Sequence, residues 1–227
     1  DLSYANNNLY NKGKTMKKFI LAAVLSTTAL SAAAYENSNG KDFYFGVNAG
    51  YAKGVKPGKD YNGKMGNSGI FGIEAGYNVN NNFRTSLSMD YAPSFTAKNT
   101  ESSTELGAST KVKSLVTMIN LYADITNYNG LTPYLTAGLG IARNKSGKTT
   151  LTYQGDSASN SSSDGTTKTN AAFKVGFGAK YAVNSDVDLD IRYQYVDAGK
   201  FKTVSNSNSP EGKVRSNQIL VGAAYKF

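Results

Sequence analysis

Asn217-Gln218-Ile219-Leu220-Val221-Gly222-Ala223-Ala224-Tyr225-Lys226-Phe227 is the last stretch of the chain, and its reading decides the fold. Counted in twos, Ile219, Val221, Ala223, Tyr225 and Phe227 form a wholly apolar face. Gln218, Leu220, Gly222, Ala224 and Lys226 form the other, which is small or mixed. Strict alternation over this length predicts a β-strand. An apolar strand flush with a chain end is unusual, because termini fray. A closed barrel, in which the last strand pairs with the first, accounts for it.

Seven earlier segments alternate in the same way: Phe43–Tyr51, Ser68–Val79, Phe83–Tyr91, Ser114–Ile125, Pro133–Arg143, Ala172–Val183 and Val187–Tyr195. Three connections between them are short and rich in Asn, Asp and Gly, as tight turns require. They include Asn80-Asn81-Asn82 and Asn184-Ser185-Asp186. The other connections are long and rich in Ser, Thr, Asn, Gly and Lys. The spacing therefore predicts an all-β fold, an eight-stranded antiparallel up-and-down barrel with short turns at one end and long loops at the other.

A soluble barrel and a membrane barrel share this alternation, so the faces must be assigned by other means. One face collects Glu74, Arg84, Asp90, Asp124, Lys174, Lys180, Asp188, Asp190, Arg192 and Lys226, five acidic and five basic residues. Neutral balance suits a closed lumen, where an unpaired ion is costly. Glycines alternate with these charges and leave room for long side chains. On the apolar face, Phe43, Tyr77, Phe83, Tyr181, Tyr225 and Phe227 fall at the turn end. Tyr51, Phe71, Tyr91, Phe173, Tyr193 and Tyr195 fall at the loop end. Two aromatic girdles around an aliphatic band are the mark of a transmembrane barrel. Segments of about 9–11 residues are long enough to span when tilted.

The start of the chain agrees. Met16-Lys17-Lys18, the apolar run Phe19–Leu30 and Ser31-Ala32-Ala33-Ala34 have the anatomy of a secretory signal peptide. The expected organisation is an upstream extension over 1–15 outside the native fold, a signal peptide over 16–34 and a barrel over 35–227. Mean hydropathy of −0.41 excludes a helical membrane protein but not a barrel.

Composition narrows the chemistry. The chain has no Cys and no His, so disulfides, thiolate metal sites and the commonest general base are all missing. Asp188 and Asp190 share one strand face, about 7 Å apart by strand rise. Beside Arg192 they read as part of a salt-bridged plug rather than an acid/base couple. Ser146-Gly147-Lys148-Thr149 lacks the spacing of a phosphate-binding loop and is read as loop. No enzyme, cofactor or metal site is expected.

The residual charge lies in the loops. The formal net charge is +9. Lys53, Lys56, Lys59 and Lys64 fall in the first long loop, and Lys200, Lys202, Lys213 and Arg215 in the fourth. Arg143, Lys145, Lys148 and Lys168 fall in the third. A basic rim attracts polyanions such as lipopolysaccharide phosphates, sulfated glycans or acidic protein patches. The loops lack interleaved aromatics apart from Phe95, Tyr153 and Phe201, so nucleic acid is not expected.

Two resemblances sharpen this reading. Gly222, Tyr225 and Phe227 resemble the C-terminal assembly signal of bacterial outer-membrane barrels, with Leu220 where a polar residue is usual. The chain from residue 35 resembles the small eight-stranded barrels of the OmpX/Ail and surface-antigen group. Thr132-Pro133-Tyr134-Leu135-Thr136-Ala137-Gly138-Leu139-Gly140 and Asp190-Ile191-Arg192-Tyr193-Gln194-Tyr195 carry that likeness. The composition is similar to barrel adhesins of obligate intracellular bacteria. The resemblance implies a monomer in the outer membrane, its loops extracellular, in contact with membrane lipid and the barrel insertion machinery. It also implies attachment to a host surface or serum protein such as vitronectin. A structural membrane protein and a small-solute channel remain alternatives.

Overall fold

The computed structural model describes residues 41–56, 64–101, 106–153, 167–202 and 211–227. The expected upstream extension and signal peptide lie outside them, as does Lys59. The described chain forms nine strands: β1 (Phe43–Gly54), β2 (Lys64–Met65), β3 (Asn67–Asn78), β4 (Phe83–Glu101), β5 (Leu106–Asp124), β6 (Leu131–Tyr153), β7 (Thr167–Ala182), β8 (Val187–Lys202) and β9 (Glu211–Lys226). Every pairing is antiparallel between sequence neighbours, apart from the short β2, which adds to the outer end of β4. The sheet closes where β9 pairs with β1, Tyr225 opposite Phe45 and Ile219 opposite Tyr51. Eight strands thus make the wall.

The stagger of the wall follows from the register. Ladder partners run Phe83, Ala123, Leu135, Phe177, Tyr193, Ile219, Tyr51, Gly69. Gly69 lies two residues beyond Phe71, the partner of Tyr91, so the path returns to β4 at position 93, ten residues on from Phe83. Closure with that stagger requires strands tilted by roughly 35–45°.

Asparagine side chains shape the three short turns. Asn80 Oδ1 accepts from the backbone N–H groups of Asn82 and Phe83, at 2.9 and 2.8 Å. Asn184 Oδ1 does the same for Asp186 and Val187, both at 2.8 Å. Asn127 Oδ1 accepts from Gly130, whose φ of 88° a side chain would resist. These contacts replace ladder bonds where the chain reverses. Beside the third turn the Asp186 carboxyl, hydrogen-bonded by Lys41 and Ser185, is held below the usual carboxylate range.

The apolar face points outward around the whole circumference. Phe45, Phe71, Leu87, Leu121, Leu135, Leu139, Phe177, Ile191 and Val221 are all exposed. Among the expected girdle residues, Phe43, Phe83, Tyr181, Tyr225 and Phe227 are exposed at the turn end. Tyr51, Phe71, Tyr91, Phe173 and Tyr193 are exposed at the loop end. A continuous apolar band of this extent belongs in lipid, not water.

One expectation is overturned. The stretches read as long loops are largely strand. β4 runs on to Glu101 and β5 starts at Leu106, so only residues 102–105 separate them. β6 continues to Tyr153, and Leu106 pairs with Tyr153. Ser146, Gly147, Lys148 and Thr149 therefore lie in a strand. Above the membrane the outward face of a strand meets water, so polar residues replace the apolar ones that mark it in sequence. Polarity alone then reads as loop, although backbone pairing continues.

Candidate functional site

The lumen is filled in three tiers. The lowest, next to the short turns, holds most of the charges. Arg84 Nε lies 3.0 Å from Asp124 Oδ2, and Lys180 Nζ lies 2.6 Å from the same oxygen. Arg192 bridges Glu74 at 3.1 Å and Asp190 at 3.2 Å. Lys226 Nζ reaches Asp188 at 2.7 Å. Tyr44 and Tyr122 donate to Glu74 Oε1 at 3.0 and 2.8 Å, and Tyr134 donates to Asp190 at 2.5 Å. The Arg84 guanidinium sits 4.4 Å from the Tyr122 ring centre and 5.0 Å from that of Tyr134. Low permittivity strengthens each of these contacts, and Arg84 Nη2, Arg192 Nε and Asp190 Oδ1 are left without a hydrogen bond to another protein atom.

Glycine makes room for the tyrosines. A Cβ at Gly76 would lie 2.1 Å from Tyr44 Cζ, and one at Gly178 2.6 Å from Tyr134 Cζ. Both rings therefore lie flat across a neighbouring strand.

The middle tier is amide-rich. Asn120 Nδ2 donates to Ser86 and Ser88 at 2.9 and 3.0 Å, and Gln194 donates to Gln218 at 2.7 Å. Asp90 and Lys174 are buried here, in the same tier as Asn48 and Asn120. Lys174 Nζ makes no hydrogen bond to another protein atom. Within the expected charge set, the structure gathers Glu74, Arg84, Asp124, Lys180, Asp190 and Arg192 at the lower tier, places the Asp188–Lys226 pair beside the same cavity, and sets Asp90 and Lys174 above them.

The upper tier is apolar and was not read from sequence. Ala52, Met65, Ala92, Phe95, Val112, Val116, Met118, Ala142, Val196 and Val214 are buried together. Phe95, read as a loop aromatic, is 2% exposed inside the barrel. Across the top, Asn144 accepts from Ser114 at 2.7 Å and donates to the carbonyl of Ala198 at 2.7 Å, which ties β6 to β8.

Little space remains. The free volume is ≈ 40 Å³ around the lower network and ≈ 10 Å³ around Phe95. A single water needs about 10–15 Å³, so the lower tier holds a few waters and the upper tier at most one. Protein reconstituted in planar bilayers is therefore expected to show no steady conductance. A large, stable open-channel current would contradict the packing.

At the outer end, the residues expected in loops stand mostly on strands. Lys53 lies in β1, Lys64 in β2, Lys200 and Lys202 in β8, and Lys213 and Arg215 in β9. Lys56 follows β1 and is exposed. Lys53 faces outward between Asn67 and Asn217, and Lys200 sits opposite Lys213. Arg215 is not a free cation, because its Nε is 3.1 Å from Asp197 Oδ2. The structure thus gathers Lys53, Lys200, Lys213 and Arg215 on the wall of β8, β9 and β1. A second basic group, Lys111, Lys113, Arg143 and Lys145, stands on β5 and β6, on the opposite side of the barrel. At the seam, Gly222 and Tyr225 lie in β9, and Phe227 exchanges backbone hydrogen bonds with Phe43 at 2.9 and 3.3 Å.

Known proteins match this architecture. The chain is 32% identical over 126 residues to outer membrane protein PagN of Salmonella typhimurium, covering 52% of this chain and 51% of that protein. The match thus spans about half the length of PagN. It is 28% identical over 199 residues to a Rickettsia felis protein named "Putative adhesin", covering 83% of this chain and 87% of that one. The crystal structure of Neisserial surface protein A superposes with a TM-score of 0.50 at 24% identity, over 85% of this chain and all of that one. The model of the outer membrane protein beta-barrel domain matches residues 22–227. The chain belongs to that family, and it is an eight-stranded barrel of the bacterial outer membrane.

Proposed function

We propose that this barrel is a surface adhesin whose extracellular end binds a host cell or a serum protein, with a vitronectin-type ligand as the specific candidate. The observation that carries the reading is the basic wall of Lys53, Lys200 and Lys213, with exposed Lys56 beside it, mounted on paired strands above the membrane. Strands fix the spacing of these charges, so less ordering entropy is lost on binding than for free loops. The relation to a rickettsial protein with an adhesin name, over most of both chains, supports the same reading. Capture is electrostatic at first encounter and then held by the outer connections. The small free volume in the lumen disfavours a solute channel. Gly222, Tyr225 and Phe227 serve as the insertion signal in this proposal.

The test is solid-phase binding of the reconstituted barrel to vitronectin and to cultured host cells. Saturable binding is expected, weakening as ionic strength rises. The variant K53E/K56E/K200E/K213E should lose at least tenfold in affinity. Binding equal to wild type would remove the basic wall from the mechanism. No saturable binding to cells or serum proteins would remove adhesion.

A further inference from the structure

The turn between β5 and β6 is closed by two residues, Asn129 and Gly130. Tyr128 and Leu131 flank them and exchange backbone hydrogen bonds at 2.8 and 2.9 Å. Asn129 has a φ of 50° and Gly130 one of 88°, so the pair forms a type I′ turn. Among the described residues Asn129 is the only non-glycine at positive φ. Asparagine accepts that conformation more readily than most side chains, and Asn-Gly is a favoured pair for this turn. Asn127, Tyr128 and Asn129 are all exposed. The turn heads a long ladder, which runs from Asp124 opposite Tyr134 to Leu106 opposite Tyr153.

The same pair has a second chemistry. Asparagine amides are thermally labile, and a following glycine, lacking a Cβ, leaves its backbone nitrogen open to the amide carbon. When the chain is free to rotate, the Gly130 nitrogen can attack Asn129 Cγ. A C–N bond forms, the bond to Nδ2 breaks, and ammonia leaves with the proton that Gly130 gives up. Water then opens the succinimide ring at either carbonyl. The product is aspartate, or isoaspartate in which the main chain runs through the side-chain carbon.

The folded turn holds both partners off that path. The positive φ values and the paired Tyr128 and Leu131 fix the peptide plane between Asn129 and Gly130, and attack requires that plane to rotate. The Gly130 N–H, whose proton must leave, donates to Asn127 Oδ1 at 3.0 Å. Asn127 is itself held, its Nδ2 donating to Thr132 Oγ1 at 2.9 Å. We infer that Asn129 is a spontaneous deamidation site, open in the unfolded chain and closed by the β5–β6 turn. Isoaspartate there adds one carbon to the backbone of a two-residue loop, and loop length sets the register of a hairpin. A chain modified before it folds therefore cannot pair Tyr128 with Leu131 in the native way. An isolated hairpin is marginally stable in water, so the turn is held only once the sheet around it forms, and the wall closes only when β9 meets β1. Deamidation at Asn129 thus records the time a chain spends unfolded. The site does not depend on the adhesive function.

The experiment follows the full chain at neutral pH in two states, folded in detergent micelles and unfolded in guanidinium chloride. Peptide mass spectrometry with chromatographic separation of isoaspartyl peptides reads conversion at Asn129 over time. Conversion is expected to be at least tenfold faster in the unfolded chain. Asn62, also followed by glycine, is the reference in that state and should convert within threefold of Asn129. Asn127→Ala should raise the folded-state rate at Asn129 at least threefold and leave the unfolded-state rate unchanged. If Asn127→Ala does not fold, the wild-type comparison carries the test, since it needs no substitution. Unfolded chain that is aged and then transferred to micelles should show isoaspartate at position 129 enriched at least threefold in the fraction that heat-modifiable gel mobility reports as unfolded. Equal rates in the two states, or an unreactive Asn129 in an unfolded chain whose Asn62 converts, would overturn the site. An unchanged folded-state rate in Asn127→Ala would overturn the role of Asn127. An even spread of isoaspartate between folded and unfolded fractions would overturn the effect on the hairpin.

Discussion

Replacing Arg192 by alanine is expected to destabilise the barrel by about 3–5 kcal/mol, the cost of leaving a buried charge without its partner. Arg192 is 7% exposed and serves Glu74, Asp190 and the Tyr122 hydroxyl together. Its removal leaves Glu74 with two tyrosine donors and no cation in salt-bridge contact among the described residues. Urea unfolding in detergent micelles, followed by far-UV circular dichroism, measures the change. The triple substitution E74Q/D190N/R192M removes all three charges and keeps much of the volume. It should lie within about 1.5 kcal/mol of wild type, because a buried ion cluster is offset largely by its own desolvation. An Arg192→Ala cost below about 1 kcal/mol would mean that water already solvates the network.

The second large effect belongs to the upper tier. Phe95→Ala should cost about 3–5 kcal/mol, the range for removing a buried ring that its surroundings cannot fill. Phe95 packs among Val112, Ala92, Val214 and Met65, and the space beside it is only ≈ 10 Å³. Small neighbours such as Ala92 cannot extend into the void, and the hydrogen-bonded wall prevents collapse. Phe95→Leu should recover more than half of the loss. A Phe95→Ala effect within about 1 kcal/mol of wild type would show that the outer half of the lumen is not packed.

These two tiers differ in how far they could be read from sequence. The charged tier is legible because its residues are polar on an otherwise apolar strand, as with Lys180 between Ala179 and Tyr181. The apolar tier is not. Val116 and Met118 have the inward parity of β5 but the chemistry of the outward face, so a rule equating polar with inward passes over them. Phe95 is hidden for another reason. The register shifts between Ala92 and Phe95, and this irregularity reverses the parity expected from Tyr91. The two basic walls are hidden too, since loop-like composition conceals strand pairing once a segment leaves the membrane.

The sequence by itself determined the number of spanning strands, the face of each that meets lipid and the end that carries the short turns. Those properties are local: period-2 alternation needs only the pleat, and an asparagine turn needs only its own backbone. Only the tertiary structure decided which inward residues meet. Glu74 and Arg192 are 118 positions apart and touch because eight tilted strands close with a stagger of ten. It also decided that Lys113 faces Lys145 while Arg215 finds Asp197. Partnership across a barrel depends on the register of every intervening strand, a cumulative quantity that no short stretch of sequence contains.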